Sequence, residues 1–327
     1  MSLLFFSVAA LAWLLALPGD ALAWGPVTHL VHGSMVLDRL AELPAEVRLL
    51  LSRFPYEYLY GCIGADIIQA KKFTRSLYTH CHHWRTGWAV LDAAPGEAER
   101  SFAYGYLSHL ASDTFSHNYY LPARLVASFR ARAMRHVYWE ARFDANQPPE
   151  RWPALHVVAS HLYPHCDELV EHVVERTLFS FRTNKRIFDS LLALQRLEYW
   201  RTVMRRMTRS DRYPLGRDEI DLFNERCAAA IIDLMQRGEE AACQAADPTG
   251  RENLARASRI RRRLRSLARR GALDPERERA LIEAVAMPLP PAPDGASGAV
   301  LQPAPPRPPV AGAGSRRPAA RPSAPPA

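Results

Sequence analysis

Residues 101–122 read SFAYGYLSHLASDTFSHNYYLP, and this stretch decides what the chain can be. It carries His109, Asp113 and His117 at successive intervals of four. On an α-helix a step of four turns about 400°, so the three side chains form one stripe that drifts slowly around the axis. Imidazole, carboxylate and imidazole on one stripe are a divalent-metal constellation, and this donor set favours zinc. The plainer alternative is a helix with two surface histidines and a surface aspartate. It loses ground as the flanking sequence supplies further donors.

Upstream lies YTHCHHW, with His80, His82 and His83 inside four positions of a chain that has twelve histidines. Histidine clusters of this density point to metal. Before it comes GADI, where Asp66 follows small residues and precedes an apolar pair; the alternative role for Asp66 is a helix N-cap. Further upstream, WGPVTH places His29 five residues after Trp24. Pro26 and Thr28 suit a helix start, and Leu30, Val31, Met35, Val36 and Leu40 follow at helical spacing, with His32 on a nearby face. Downstream, a helix is expected over residues 123–143, carrying His136 and Glu140 as an i,i+4 pair. As a simple intrahelical pair this would contribute only about 0.2–0.5 kcal/mol. His156, His161, His165 and His172 have no carboxylates at useful spacing and read as structural or surface residues. No strand-like alternation persists, so the expected class is all-α, a multi-helix domain.

The chain has 327 residues, a formal net charge of +8, and lysine only at 71, 72 and 185, so arginine carries the basic excess. That excess suits phosphate-bearing partners, membrane surfaces or nucleic acid, without choosing between them. Five cysteines include no CxxC pair, which turns attention from thiolate to imidazole and carboxylate ligands. Residues 1–23, MSLLFFSVAALAWLLALPGDALA, combine an apolar run, a Pro-Gly break and an Ala-Leu-Ala ending. They read as a secretory signal peptide, giving a periplasmic or secreted protein; the alternative is an uncleaved N-terminal membrane anchor. Cutting after Ala23 would make Trp24 the first residue, and its free amine and carbonyl oxygen form a chelating pair. The helical domain is expected over 24–245, a basic helical extension over 246–286, and a disordered Pro/Ala-rich tail over 287–327, which holds half of the twenty-six prolines.

In this order the motifs resemble the zinc-dependent phospholipase C family, which shares its fold with the S1/P1-type single-strand nucleases. The resemblance implies an all-helical domain holding up to three Zn2+. WGPVTH resembles the nuclease start and implies that the Trp24 amine and carbonyl, with His29, hold one zinc. GADI implies Asp66 as a ligand, and HHW implies His82, with His83 and His80 as the other choices. HLASD implies His109 and a bridging Asp113, and His117 resembles the next histidine. HVYWE implies His136 and Glu140, and the closing Glu leans toward the phospholipases. The interval from Asp113 to His117 is four residues where better-known members have six with a Pro between, implying a shorter loop. No counterpart of a C-terminal lipid-binding β-sandwich is visible.

The implied activity is hydrolysis of a phosphodiester, most directly a phospholipid, by a zinc-activated water. Asp113 would bridge two ions, and Asp66 would serve as ligand and candidate base. Trp84, Tyr106, Phe115, Tyr119 and Tyr120 line a lipid or base pocket in this reading, or else the core. Basic residues would favour a membrane surface. Nucleic acid is the substrate only if the chain is a nuclease on the same scaffold, and a third alternative is a non-catalytic zinc-binding envelope protein.

Overall fold

Helices joined by short turns make up the described part of the chain. The structure, a computed structural model, describes residues 24–68, 80–131, 136–174, 179–195, 202–206 and 212–283, all within one unit, Met1–Pro293. The expected leader over 1–23 and the Pro-rich tail from 287 lie outside the described residues. Among those described there is no strand, and no helix is long and apolar enough to cross a membrane.

The first helix, α1 (Pro26–Leu37), opens with Pro26, whose missing N–H would be unpaired in a first turn anyway. Then come α2 (Ala45–Arg53), α3 (Pro55–Gly61) and a 3-10 turn at Gly64–Ile67. After α4 (Trp84–Asp92), α5 (Glu97–Phe115) runs into a π-helical turn, Ser116–Tyr120, and on into α6 (Leu121–Ala127). Next are α7 (His136–Ala145), α8 (Pro153–Val158), α9 (Pro164–Val173) and α10 (Phe181–Gln195). The series closes with α11 (Arg217–Arg237), α12 (Arg251–Arg269) and α13 (Pro275–Glu283).

The axle is α5. From Ser101 to Phe115 every residue but Tyr104 is buried, with α3, α4 and α11 packed around it. A helix enclosed on all sides is normally apolar all round. This one also buries small hydroxyl residues, each with an acceptor at hand: Ser101 Oγ donates to the Phe54 carbonyl (2.8 Å), Ser108 Oγ to Tyr104 (2.8 Å) and Thr114 Oγ1 to Ala111 (2.7 Å). Small residues also let backbones approach. Where α3 crosses α5, a Cβ on Gly105 would stand 2.0 Å from the Tyr58 carbonyl oxygen, and one on Gly61 2.0 Å from that of Phe102. The crossing exists only because both positions are glycine.

The single helix expected over 123–143 does not form. α6 ends at Ala127, and Ser128 leaves helical geometry while its Oγ donates to the Arg124 carbonyl (2.6 Å) and accepts from Trp139 Nε1 (3.2 Å). Tertiary packing of Trp139 thus folds α7 back on α6, overriding a propensity that favours continuation. The basic extension forms a helical hairpin that turns at Gly271. Ala257 and Leu264 of α12 pack on Val126 and Phe129. Arg261 and Arg265 donate to the carbonyls of Ala131 and Phe129 just beyond α6, where helix-end carbonyls need partners.

A buried polar network fixes α1 against its neighbours. Asp144 Oδ1 accepts from Thr28 N (2.7 Å) and Thr28 Oγ1 (2.9 Å) at the start of α1. Gln147 and Asn224 exchange amide hydrogen bonds (3.1 and 3.0 Å), and His32 joins Asn224 Oδ1 (3.0 Å) to Ser112 Oγ (2.7 Å). Burial raises Asp144 from 3.8 to about 7 and lowers His32 to about 3, so His32 is a neutral link.

Gly105→Val is expected to prevent the α3–α5 crossing and cost at least about 3 kcal/mol, on the scale of overpacking plus lost core contacts; circular-dichroism melts check this. Asp144 gives a pH prediction. Its pKa is raised on folding, so its contribution is fully present below about 3.8 and is lost as pH rises through about 7. Asp144→Asn, which keeps the acceptor, should therefore flatten the fall in melting temperature of the metal-free protein across that window, where the wild-type slope from this group approaches about 1.4 kcal/mol per pH unit.

Candidate metal centre

Three chain segments meet beside α5. The 3-10 turn brings Asp66, the turn before α4 brings His82, α5 brings His109 and Asp113, and α1 brings His29; all are buried. His82 Nε2 lies 2.9 Å from His109 Nε2, 3.3 Å from Asp113 Oδ2 and 3.4 Å from Asp66 Oδ1. His109 Nε2 lies 3.3 Å from Asp113 Oδ2 and 4.0 Å from Asp66 Oδ1. On the other side of the same carboxylate, His29 Nε2 lies 3.3 Å from Asp113 Oδ1, its ring stacked on His109 at 3.8 Å. Asp113 thus turns one oxygen to each of two donor groups.

The ring nitrogens that face away from this point are held by the fold. His109 Nδ1–H donates to the Cys62 carbonyl (2.9 Å), which the glycine-on-glycine crossing brings within reach. His82 Nδ1 meets Cys81 Sγ at 3.3 Å, and Tyr106 OH pins the Cys81 carbonyl at 2.5 Å. Fixing one imidazole nitrogen in this way aims the other.

Both oxygens of Asp113 and both ring nitrogens of His29 are buried without a hydrogen bond of proper geometry. Buried carboxylates are not left bare without cost. A tetrahedral ion with bonds of about 2.0–2.1 Å has ligand–ligand edges of about 3.3 Å, and the separations around His82 and His109 cluster near that value. These residues fit a zinc ion. Burial would raise the Asp113 carboxyl, but the surrounding imidazoles of His109, His29 and His117 outweigh it and hold the group well below its usual range, ionised. Burial, followed by the proximity of His109, lowers His29 to about 4, so it is neutral at pH 7 with a lone pair free to coordinate.

A second cluster joins His117, His136 and Glu140. Glu140 Oε1 lies 2.6 Å from His136 Nε2 and 3.7 Å from His117 Nε2. Burial pushes the Glu140 carboxyl well above its ordinary value, against the opposing pull of His117. The stripe expected along the helix therefore divides: His109 and Asp113 serve the first cluster and His117 the second. No loop, short or long, separates Asp113 from His117. The chain stays helical, and the π-helical turn Ser116–Tyr120 resets the direction in which His117 points, a device common at functional sites.

Trp24 is fully buried. Its indole sits against Phe143 (4.1 Å) and Tyr120 (4.8 Å) and donates to the Ser112 carbonyl (3.2 Å), so any donor it brings to the centre must be main-chain. Of the three clustered histidines, His82 meets Asp66, His109 and Asp113. His83 caps α4 by accepting from Arg85 N (3.1 Å), and His80 Nδ1 accepts from His82 N (3.1 Å), although His80, Cys81 and His82 also form a close donor group. Among the aromatics expected to line a pocket, Trp84, Tyr106, Phe115 and Tyr120 are core residues. Sequence reading gave no role to Cys62, Asn224 or His32. Nothing in the chain marks them, because their partners lie 47 to 192 residues away.

Residues 28–182 match the family model described as zinc dependent phospholipase C, just under half of the chain. The match includes His29, Asp66, His82, His109, Asp113, His117, His136 and Glu140, and it leaves Trp24 and everything after residue 182 outside. Comparisons with curated proteins and with solved structures give no match. All-helical architecture, buried His/Asp/Glu clusters that fit zinc and the matched segment agree: over residues 28–182 the chain is similar to the zinc-dependent phospholipase C family.

Proposed function

We propose that the chain is a phospholipase C-type hydrolase that uses up to three Zn2+ to cleave a phospholipid at its phosphodiester. The observation that carries this reading is the bare Asp113 carboxylate, with one oxygen toward His29 and the other toward His82 and His109. In this reading Asp66, His82, His109 and Asp113 hold one ion. His29 and Asp113 hold a second, completed by the Trp24 amine and carbonyl if export removes residues 1–23. His117, His136 and Glu140 hold a third.

Zinc, when bound, makes water a usable nucleophile near neutral pH and draws charge from phosphoryl oxygens. The chain's own part is to place donors and exclude bulk water. Ionised Asp113 and neutral His29 are ready to coordinate at pH 7, whereas burial favours the protonated form of Glu140, so a metal at its cluster competes with protons. Asp66, beside His82, is the candidate to accept a proton as water attacks phosphorus. The P–O bond to the glyceride breaks, and the leaving alkoxide takes up a proton. Arg256, Arg259, Arg263 and Arg270 stand exposed on α12 and just beyond it, and would favour an anionic lipid surface.

Purified, zinc-loaded protein should release phosphorylated head group from phosphatidylcholine vesicles, and chelation should stop it. Asp113→Asn should lower bound zinc and cut turnover by more than about 100-fold, beyond the 10–100-fold typical of outer-shell changes. Unchanged turnover in that variant would remove the bridging role. Cleavage of single-stranded DNA with phospholipid left intact would replace the lipase reading by the nuclease one, which the WGPVTH start resembles.

A further inference from the structure

The family match ends at residue 182, yet a segment more than sixty residues further on closes over the second cluster. Three consecutive main-chain carbonyls, at residues 246, 247 and 248, each accept a hydrogen bond from a side chain beside the centre. Trp84 Nε1 donates to the Ala246 carbonyl (2.8 Å), two positions after His82. Asn118 Nδ2 donates to that of Asp247 (2.9 Å) and to that of Thr114 (3.0 Å). His117 Nδ1–H donates to that of Pro248 (2.6 Å). The segment is shaped for this. Asp247 holds Thr249 through its carboxylate, to N at 3.0 Å and to Oγ1 at 2.5 Å, and its carbonyl accepts from Gly250 N (2.9 Å). Gly250 then turns the chain into α12 at φ +54°, where glycine is favoured. A Cβ there would lie 2.4 Å from both Cβ and the carbonyl oxygen of His117. Asn253, one turn into α12, donates to Asn118 Oδ1 (2.8 Å) and closes the loop of contacts.

We propose that residues 246–250 are a strap that positions His117. By accepting the Nδ1 proton, the Pro248 carbonyl fixes the tautomer and leaves Nε2 facing Glu140 with its lone pair available. The glycine turn sets how closely strap and π-helical turn approach. Pro248, Gly250 and Asn118 are positioning residues, and the strap sets the affinity of one metal subsite from outside the matched segment. This rests on the reading of His117, His136 and Glu140 as metal ligands.

The test is zinc titration of the metal-free full-length protein against a chromophoric chelator, with total zinc per chain measured after dialysis. Gly250→Val is expected to weaken one ion per chain by about 10–100-fold, the range for outer-shell partners, and to leave the other ions near wild type, while lowering the melting temperature of the metal-free protein because its Cβ meets His117 at a positive φ. Asn118→Asp is the gentler, isosteric probe. It replaces the donor to Asp247 by a carboxylate facing two carbonyl oxygens, should weaken the same ion by about 10-fold, and decides the question if Gly250→Val does not fold. His117→Ala should lose that same ion, and adding Gly250→Val to it should cost no further zinc. Unchanged affinity in the Asn118 variant, or equal weakening of every ion, would overturn the strap. A wild-type chain that binds no zinc would overturn the metal reading itself.

Discussion

Asp113 is a fully buried carboxylate in the last turn of the enclosed helix α5, and no hydrogen bond of good geometry reaches either oxygen. A charge in such a place is costly unless opposite charge compensates it. The neighbouring imidazoles lower its pKa, but in their neutral form they supply dipoles and no net charge. The arrangement makes sense as half of a site whose other half is cationic. Much of the surrounding structure can be understood as what keeps this group in place. Small residues along α5 let the neighbouring helices approach, and the glycine pair at the α3–α5 crossing puts the Cys62 carbonyl where His109 needs it. The polar network from Asp144 to Ser112 fixes α1, and with it His29.

The two clusters are built on different principles. In the first, donors come from the 3-10 turn Gly64–Ile67, the turn before α4, α5 itself and α1, so its geometry depends on how helices pack. In the second, His136 and Glu140 share one helix, and His117 reaches them from a π-helical turn braced by residues 246–250. The first depends on the bundle core, the second on a late segment that folds back. A change to the C-terminal segment can therefore affect one cluster without the other, because the elements that aim their ligands are largely separate.

Metal-type donors at helical spacing were legible from residue types alone: His109 with Asp113, and His136 with Glu140, are each four apart and face together because an α-helix puts i and i+4 on one side. The all-helical class followed from the same periodicity. Two local expectations did not hold. The helix over 123–143 breaks because Ser128 and Trp139 pair across the fold, and the shortened interval before His117 produces a π-helical turn rather than a loop.

By itself the sequence determined which atoms were available to bind a cation and in what order along the chain they came, since donor chemistry and helical period are properties of residues and near neighbours. Only the tertiary structure decided how those donors were shared out: that His82 rather than His83 meets Asp66, that His109 and His117 part company, and that a carbonyl at Pro248 holds a ring 131 residues earlier. The physical reason is that hydrogen bonds and close packing are short-ranged in space and indifferent to separation along the chain, so no local pattern encodes them.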